Sequence, residues 1–349
     1  MDFDSAVALL RRLIATPSPS REEGAAADIM EAELRSMGYK PHRKGNNVWA
    51  EASARDDSKP TILLDAHIDT VRPSAAWSRD PYDACIEDGR LYGLGSNDTG
   101  GSVVSLLAAF DFLAQRPQPY NLIYLASAEE EVKGGVRAVL GELGHIDFGV
   151  VGEPTGMNPA VAEKGLMVLD CTAHGRAGHA ARNEGENAIY KALPDIEWFR
   201  THRFERVSPL LGPVKMTVTG VQAGTQHNVV PAECRFMVDV RVNELYTNEE
   251  LLAEIRSSVG CDVVPRSTHL CSSSIDVSHP AVRRLVASGR KPFGSPSMSN
   301  QAVMPFRTVK VGPGDSARSH TADEYICLDE IREATGIYTA MLDGVVLSE

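Results

Sequence analysis

The sequence predicts an α/β fold that carries an α+β insert. Three observations predict it: short apolar runs that end on acids or histidines three times before residue 155, a stretch near 162–275 with long, partly alternating strands, and a return of the first pattern after residue 305.

The opening "MDFDSAVALLRRLIATPSPS" sets Val7, Leu9, Leu10, Leu13 and Ile14 at mixed helical spacing, broken by Arg11 and Arg12, so it lacks the unbroken apolar segment of a signal peptide. No run reaches transmembrane length either, and a cytoplasmic location is expected. "TILLDAHIDT" is an apolar run over 61–64 that ends on Asp65, His67 and Asp69. "GRLYGLGSNDTGGSVVSLLAAFDFLA" follows, a Gly-rich loop carrying Asp98 that opens a helix-like segment from Gly101. "LIYLASAEEE" and "FGVVGEPTG" repeat the strand ending on acids, at Glu129, Glu130 and Glu131 and at Glu153. Strand, loop, helix, strand is the order of an α/β sheet, in which ligands gather at the carboxyl ends of the strands.

The middle region differs. "GLMVLDCTAHG", "PVKMTVTGVQAG" and "AECRFMVDVRV" read as long strands, and "GENAIYKALPDIEWFRTHRF" as a helix interrupted near Pro194. After it, "SHPAVRRLVASGR" predicts a helix with Pro280 in its first turn, and "RTVKVGPGDSARSHTADEYI" returns to the strand-to-loop pattern with His320 and Asp323. The expected organisation is a discontinuous first domain, 1–161 with 276–349, around an insert at 162–275.

At 349 residues, 43% of them hydrophobic, the chain can bury one large core and one smaller one. A formal charge of −12 argues against nucleic acid and anionic membranes as partners, since both select a basic face. Six cysteines, Cys85, Cys171, Cys234, Cys261, Cys271 and Cys327, stand without a C-x-x-C pair, which suits buried thiols in a reducing compartment.

His67, Asp69, Asp98, Glu130, Glu131, Glu153 and His320 are therefore imidazoles and carboxylates at strand ends, with no thiolate among them. Any one of the acids could serve as a helix cap or a loop acid. As a set, they suit Zn²⁺, Mn²⁺ or Co²⁺, and five ligands sharing one carboxylate are what a two-metal hydrolytic site needs. Such ions, roughly 3.5–4 Å apart, activate a bridging water, and a separate carboxylate must then accept its proton. The glycines of "GLGSNDTGG" lack the Lys-Ser/Thr ending of a phosphate loop.

"HIDTV", "GLGSNDTGG", "AEEEVKGG", "VGEPT" and "HTADEY", in that order, resemble the motifs of the zinc-dependent amidohydrolases that include acetylornithine deacetylase, succinyl-diaminopimelate desuccinylase, aminoacylase and glutamate carboxypeptidase, with acetylornithine deacetylase the nearest. The resemblance runs over nearly the whole chain. It implies a mixed-sheet zinc-peptidase catalytic domain with an inserted ferredoxin-like dimerisation or lid domain. It implies two divalent ions, zinc first and cobalt or manganese as alternatives, one completed by His67 and Glu153, the other by Glu131 and His320, with Asp98 bridging. Asp69 would hydrogen-bond the His67 imidazole, and Glu130 would be the general base; Glu129 receives no role.

Within the insert, "GRAGHAARNEGENAI" resembles the segment whose histidine reaches the partner subunit's active site, which gives His179 that role. "GTQHNVVPAECRFMVDVR" resembles the family's substrate-contact strand and implies Asn228 and Arg241, the latter toward the substrate α-carboxylate. Gly312 and Gly314 would line the substrate pocket. The implied partners are a small N-acyl amino acid and a second copy of the chain. The implied reaction is amide hydrolysis, of N-acetyl-ornithine or N-acetyl-citrulline first, with a succinyl-ornithine, succinyl-citrulline or succinyl-diaminopimelate desuccinylase or a dipeptidase as alternatives. A non-catalytic binding protein is the remaining alternative, against which the intact Glu130 argues. Two departures stand out: Asp98-Thr99-Gly100-Gly101 where relatives have Asp-x-Lys-Gly-Gly, and Asn300 where some carry Asp.

Overall fold

A computed structural model of the chain describes residues 1–132, 134–182 and 184–347. It divides into two compact units, the first built from Met1–Val161, Ser274–Phe293 and the segment from Ser299 onward, the second from Ala162–Ser273 with Gly294–Met298.

The first unit is organised on a mixed sheet whose strands run, in spatial order, His42–Lys44, Asn47–Glu51, Asn121–Ser127, Thr61–His67, Phe148–Val151, Arg307–Lys310 and Ala160–Glu163. Thr61–His67 is parallel to both neighbours, with His67 opposite Ser127 and Asp65 opposite Val151, and Arg307–Lys310 is parallel to Phe148–Val151. Four parallel strands thus end on one edge, at His67, Ser127, Val151 and Lys310.

Both faces of this sheet are covered, which is why its strands read as unbroken apolar runs. Ile62, Leu64 and Ala66 pack in one core with the helices Phe3–Ile14, Gly24–Ser36, Gly101–Ala114 and Leu328–Leu342. Leu63, Ile123 and Leu125 point the other way, against Val136, Val139 and Leu143 of the helix Gly135–Leu143. The helix Gly101–Ala114 is buried nearly all round, which suits its composition of small and apolar residues.

The second unit is a four-stranded antiparallel sheet in the order Lys215–Ala223, Glu233–Val242, Gly165–His174, Asp262–Pro265, with the helices Ala188–Thr201 and Asn248–Ser258 between its strands in sequence. Strand, helix, two strands, helix, strand, in spatial order 2-3-1-4, is the ferredoxin-like arrangement. Alternation sorts Met167, Leu169, Cys171 and Ala173, with Cys234, Phe236, Val238 and Val240, onto the core face beneath Ala192, Phe199, Leu251 and Ile255. Thr247 and Glu250 form a reciprocal cap that starts the second helix.

One expectation is corrected. The helix Ala188–Thr201 passes through Pro194 without a break. The amide that proline lacks would have bonded the carbonyl of Tyr190, a residue on the exposed side at 71% exposure, where water can take that carbonyl. Burial of Ala188, Ala192 and Phe199 on the opposite side holds the helix together. All six cysteines are free thiols. Among the described residues, no helix is long and apolar enough to cross a membrane.

Candidate metal centre

His67 ends its strand at 2% exposure. Its Nδ1 stands 2.9 Å from the backbone carbonyl oxygen of Asp69. A carbonyl only accepts, so Nδ1 carries a proton, and Nε2 is the nitrogen that faces Asp98 Oδ1 at 3.3 Å. The ring is therefore oriented by the main chain of Asp69, with its carboxylate farther off at 3.4 Å. Burial opposes a charged imidazole here, but hydrogen bonds to Asp69 and Asp98 outweigh it and hold His67 well above the usual histidine range.

The Asp69 carboxylate has another task. Its Oδ1 accepts the Glu130 N–H at 2.9 Å, and its Oδ2 accepts the Glu131 N–H at 3.1 Å and the Ser20 hydroxyl at 2.7 Å. Burial would raise this acid, but His67, Ser20 and the backbone donors bring it down to about 2. The third amide of the glutamate run, that of Glu129, goes to Glu23 Oε1 at 3.2 Å. The run is therefore not a solvated helix start but a turn whose three N–H groups are gripped by two carboxylates. Glu129 takes φ +57° in it, and Gly135 closes it: a Cβ at 135 would sit 1.7 Å from the Ala128 carbonyl oxygen. Glu130 ends up 4% exposed, whereas the side chain of Glu129 stays at the rim, 3.7 Å from Arg21.

Asp98 sits in the turn Ser96–Gly100, and its two oxygens divide between two histidines: Oδ1 toward His67 and Oδ2 toward His320 Nε2 at 3.5 Å. His320 Nε2 also meets Glu131 Oε1 at 2.9 Å. Glu153 follows the strand Phe148–Val151, and burial, with Asp98 and Glu130 nearby, pushes its carboxyl well above the ordinary range. The donor atoms of His67, Asp98 and Glu153 lie within 4.8 Å of one another, as do those of Asp98, Glu131 and His320, and those of His67, Glu130 and Glu131.

Two triads sharing one carboxylate, imidazole and oxygen donors only, and a buried excess of negative charge are what a pair of divalent cations fits. Asp98 and Glu130 both raise the buried Glu153 carboxyl, with His67 and Lys310 opposing them only in part.

The remaining residues singled out in the sequence are placed as follows. Gly312 is packed against Glu153, a Cβ there meeting the Glu153 carbonyl oxygen at 2.5 Å. Its N–H goes to Thr155 Oγ1 and its carbonyl accepts from Thr155 and Met157, so both backbone groups are hydrogen-bonded within the fold. Gly314, at φ +90°, lets Asn97 Oδ1 come close. Asn300 donates to Asp65 Oδ2 at 2.9 Å and to Ser127 Oγ at 3.0 Å. Burial pushes Asp65 up to about 6, against the hydrogen bonds of Ser127 and Asn300, so an amide at 300 avoids a second acid beside it.

His179, Asn228 and Arg241 lie in the second unit. His179 is on the short strand Gly178–His179, opposite Val229, and Ala180 N–H donates to the Asn228 carbonyl at 3.0 Å, which brings 179 and 228 together. Arg241 is on the outer face of its strand in a two-pronged pair with Asp239, at 2.9 and 3.1 Å. Sequence reasoning missed Glu23, Asn97 and Glu324, whose signal was only their position inside "SREEG", "GSNDTGG" and "HTADEY".

Residues 63–344 match the pattern of Peptidase family M20/M25/M40. The chain belongs to this family. It is therefore a metal-dependent hydrolase acting on amides. This M20 chain is 27% identical to the succinyl-diaminopimelate desuccinylase of Rhodospirillum centenum (strain ATCC 51521 / SW) over 97% of its own length and 96% of the relative's. It is 28% identical to the enzyme of that name from Stenotrophomonas maltophilia (strain R551-3) over 96% and 97%. Among solved structures it resembles the aminopeptidase PepT of Bacillus cereus ATCC 10987, with a TM-score of 0.80, 18% identity and 99% of each chain covered. It also resembles the Bacillus subtilis YXEP protein, described as a dinuclear metal-binding peptidase of the M20 family, with a TM-score of 0.74, 17% identity and 99% and 98% covered. These likenesses establish a shared fold.

Proposed function

We propose that this M20 enzyme hydrolyses the amide bond of an N-acyl amino acid, on the strength of one observation: two candidate ligand triads share Asp98, with the buried Glu130 beside them. His67, Asp98 and Glu153 would hold one divalent ion and Asp98, Glu131 and His320 the other, zinc being the ion that imidazole and carboxylate donors suit first. Bound there, the ions supply Lewis acidity toward the amide carbonyl and lower the pKa of water.

The chain's own residues do the rest. The Asp69 carbonyl orients His67, and the Asp69 carboxylate holds the main chain of Glu130 and Glu131 so that neither side chain drifts. Glu130 takes the proton of the attacking water and returns it to the leaving amine nitrogen. His179, supplied by a second copy of the chain, donates to the oxyanion, and Asn228, Gly312, Gly314 and Arg241 contact the substrate; Arg241 exchanges Asp239 for the substrate carboxylate. A homodimer through the second unit is supported by its strand Lys215–Ala223, which lies at the sheet edge among the described residues, and by exposed Tyr190, Leu193 and Val221. A cytoplasmic location goes with this reading.

The sequence motifs favour an acetyl group on ornithine or citrulline. The full-length relatives named as succinyl-diaminopimelate desuccinylases favour a succinyl group. Initial rates on N-acetyl-ornithine, N-acetyl-citrulline, their succinyl counterparts, succinyl-diaminopimelate and a dipeptide separate the two. One acyl class is expected to exceed the other by at least about tenfold in kcat/KM, the discrimination a carboxylate-binding group in the pocket gives. Equal rates on all, dipeptide included, would contradict an acyl-specific enzyme.

A further inference from the structure

The loop that carries Asp98 and the loop that carries His320 are tied together by two buried residues that hold none of the proposed ligands' roles. Glu324 is 2% exposed and Asn97 is fully buried. Glu324 Oε1 accepts the N–H groups of Asn97 at 2.8 Å and Asp98 at 2.9 Å, and Oε2 accepts that of Gly95 at 3.3 Å. The Asn97 side chain reaches back: its Nδ2 donates to the Asp315 carbonyl at 3.0 Å and to Ser319 Oγ at 3.4 Å, and its Oδ1 accepts the Asp315 N–H at 3.0 Å. Gly314 makes room for that approach, since a Cβ there would stand 2.2 Å from Asn97 Oδ1.

A buried carboxylate beside Asp98 is costly unless it is used. Here it has three donors, all from the turn that aims Asp98, and the opposite side of the clasp fixes the segment just before His320. We propose that Glu324 and Asn97 are a reciprocal clamp that positions Asp98 between His67 and His320, so that both cation sites form at once. This rests on the ligand set proposed above. The clamp acts on geometry: the Asp98 oxygens, 3.3 and 3.5 Å from the two imidazoles, depend on a main chain that Glu324 holds from behind.

The test is a Co²⁺ titration of the metal-free full-length protein by calorimetry and visible absorption, with Glu324→Gln and Asn97→Ala beside the parent and melting temperatures taken without metal. Both variants are expected to bind Co²⁺ roughly 10–100-fold more weakly, the usual effect of losing a group that orients a ligand, with altered d–d bands. Unchanged affinity and spectrum in both, with only a lower melting temperature, would reduce the pair to fold stabilisation and overturn the clamp. Weakening in Glu324→Gln alone would assign its effect to charge and also overturn it. Should Glu324→Gln fail to fold, Asn97→Ala decides alone, because it leaves the carboxylate in place. A parent protein that binds no Co²⁺ would instead sink the ligand set itself.

Discussion

Glutamine in place of Glu130 is expected to lower kcat by about 10²–10⁴-fold, the range a positioned general base contributes. The amide matches the carboxylate in size, and the Glu130 N–H stays bound to Asp69, so the turn should keep its shape. What is lost is the proton acceptor. Steady-state kinetics on the best acyl substrate, with elemental analysis of the same sample, check this: turnover should collapse while metal content stays that of the parent. Near-normal turnover would remove Glu130 from the role, whatever the metal content.

Asp98→Ala is expected to do more damage to binding. Each triad would be left with two protein donors, His67 with Glu153 and Glu131 with His320. Metal affinity should fall by more than the roughly 10–100-fold typical of losing an orienting partner, because a ligand itself is gone from both sites. Dialysed protein should carry less than one ion per chain and show no measurable hydrolysis. The Asp98 N–H survives in alanine, so Glu324 still holds the turn and circular dichroism should be near that of the parent. Retention of two ions would show that Asp98 is not the shared ligand.

The parts of this molecule that the sequence made legible are those in which chemistry coincides with period. Apolar runs ending on His67, Glu129–Glu131 and Glu153 marked parallel strand ends because strands covered on both faces carry few polar residues before they stop. The strands of the second unit were approachable because apolar residues partly alternate at Met167–Ala173 and Cys234–Val242, whereas their ferredoxin-like order came only from the family resemblance.

Where the sequence misled, backbone satisfaction was the reason. Pro194 reads as a break, yet its missing hydrogen bond falls on the side open to water. Asp69 reads as a partner of the His67 ring, but the sequence leaves no trace that its carbonyl makes the shorter contact while its carboxylate also grips two amides. Glu324 and Asp98 are 226 positions apart in the chain, and an acid that accepts main-chain N–H groups leaves no pattern of its own.

The claim on which the rest depends is a two-metal hydrolase, and titrating metal-free protein with Zn²⁺ while following amide hydrolysis tests it most directly. Activity should be absent without metal and should rise to a plateau that breaks near two ions per chain, as two triads sharing Asp98 require. Full hydrolysis by protein kept metal-free with a chelator would contradict the account.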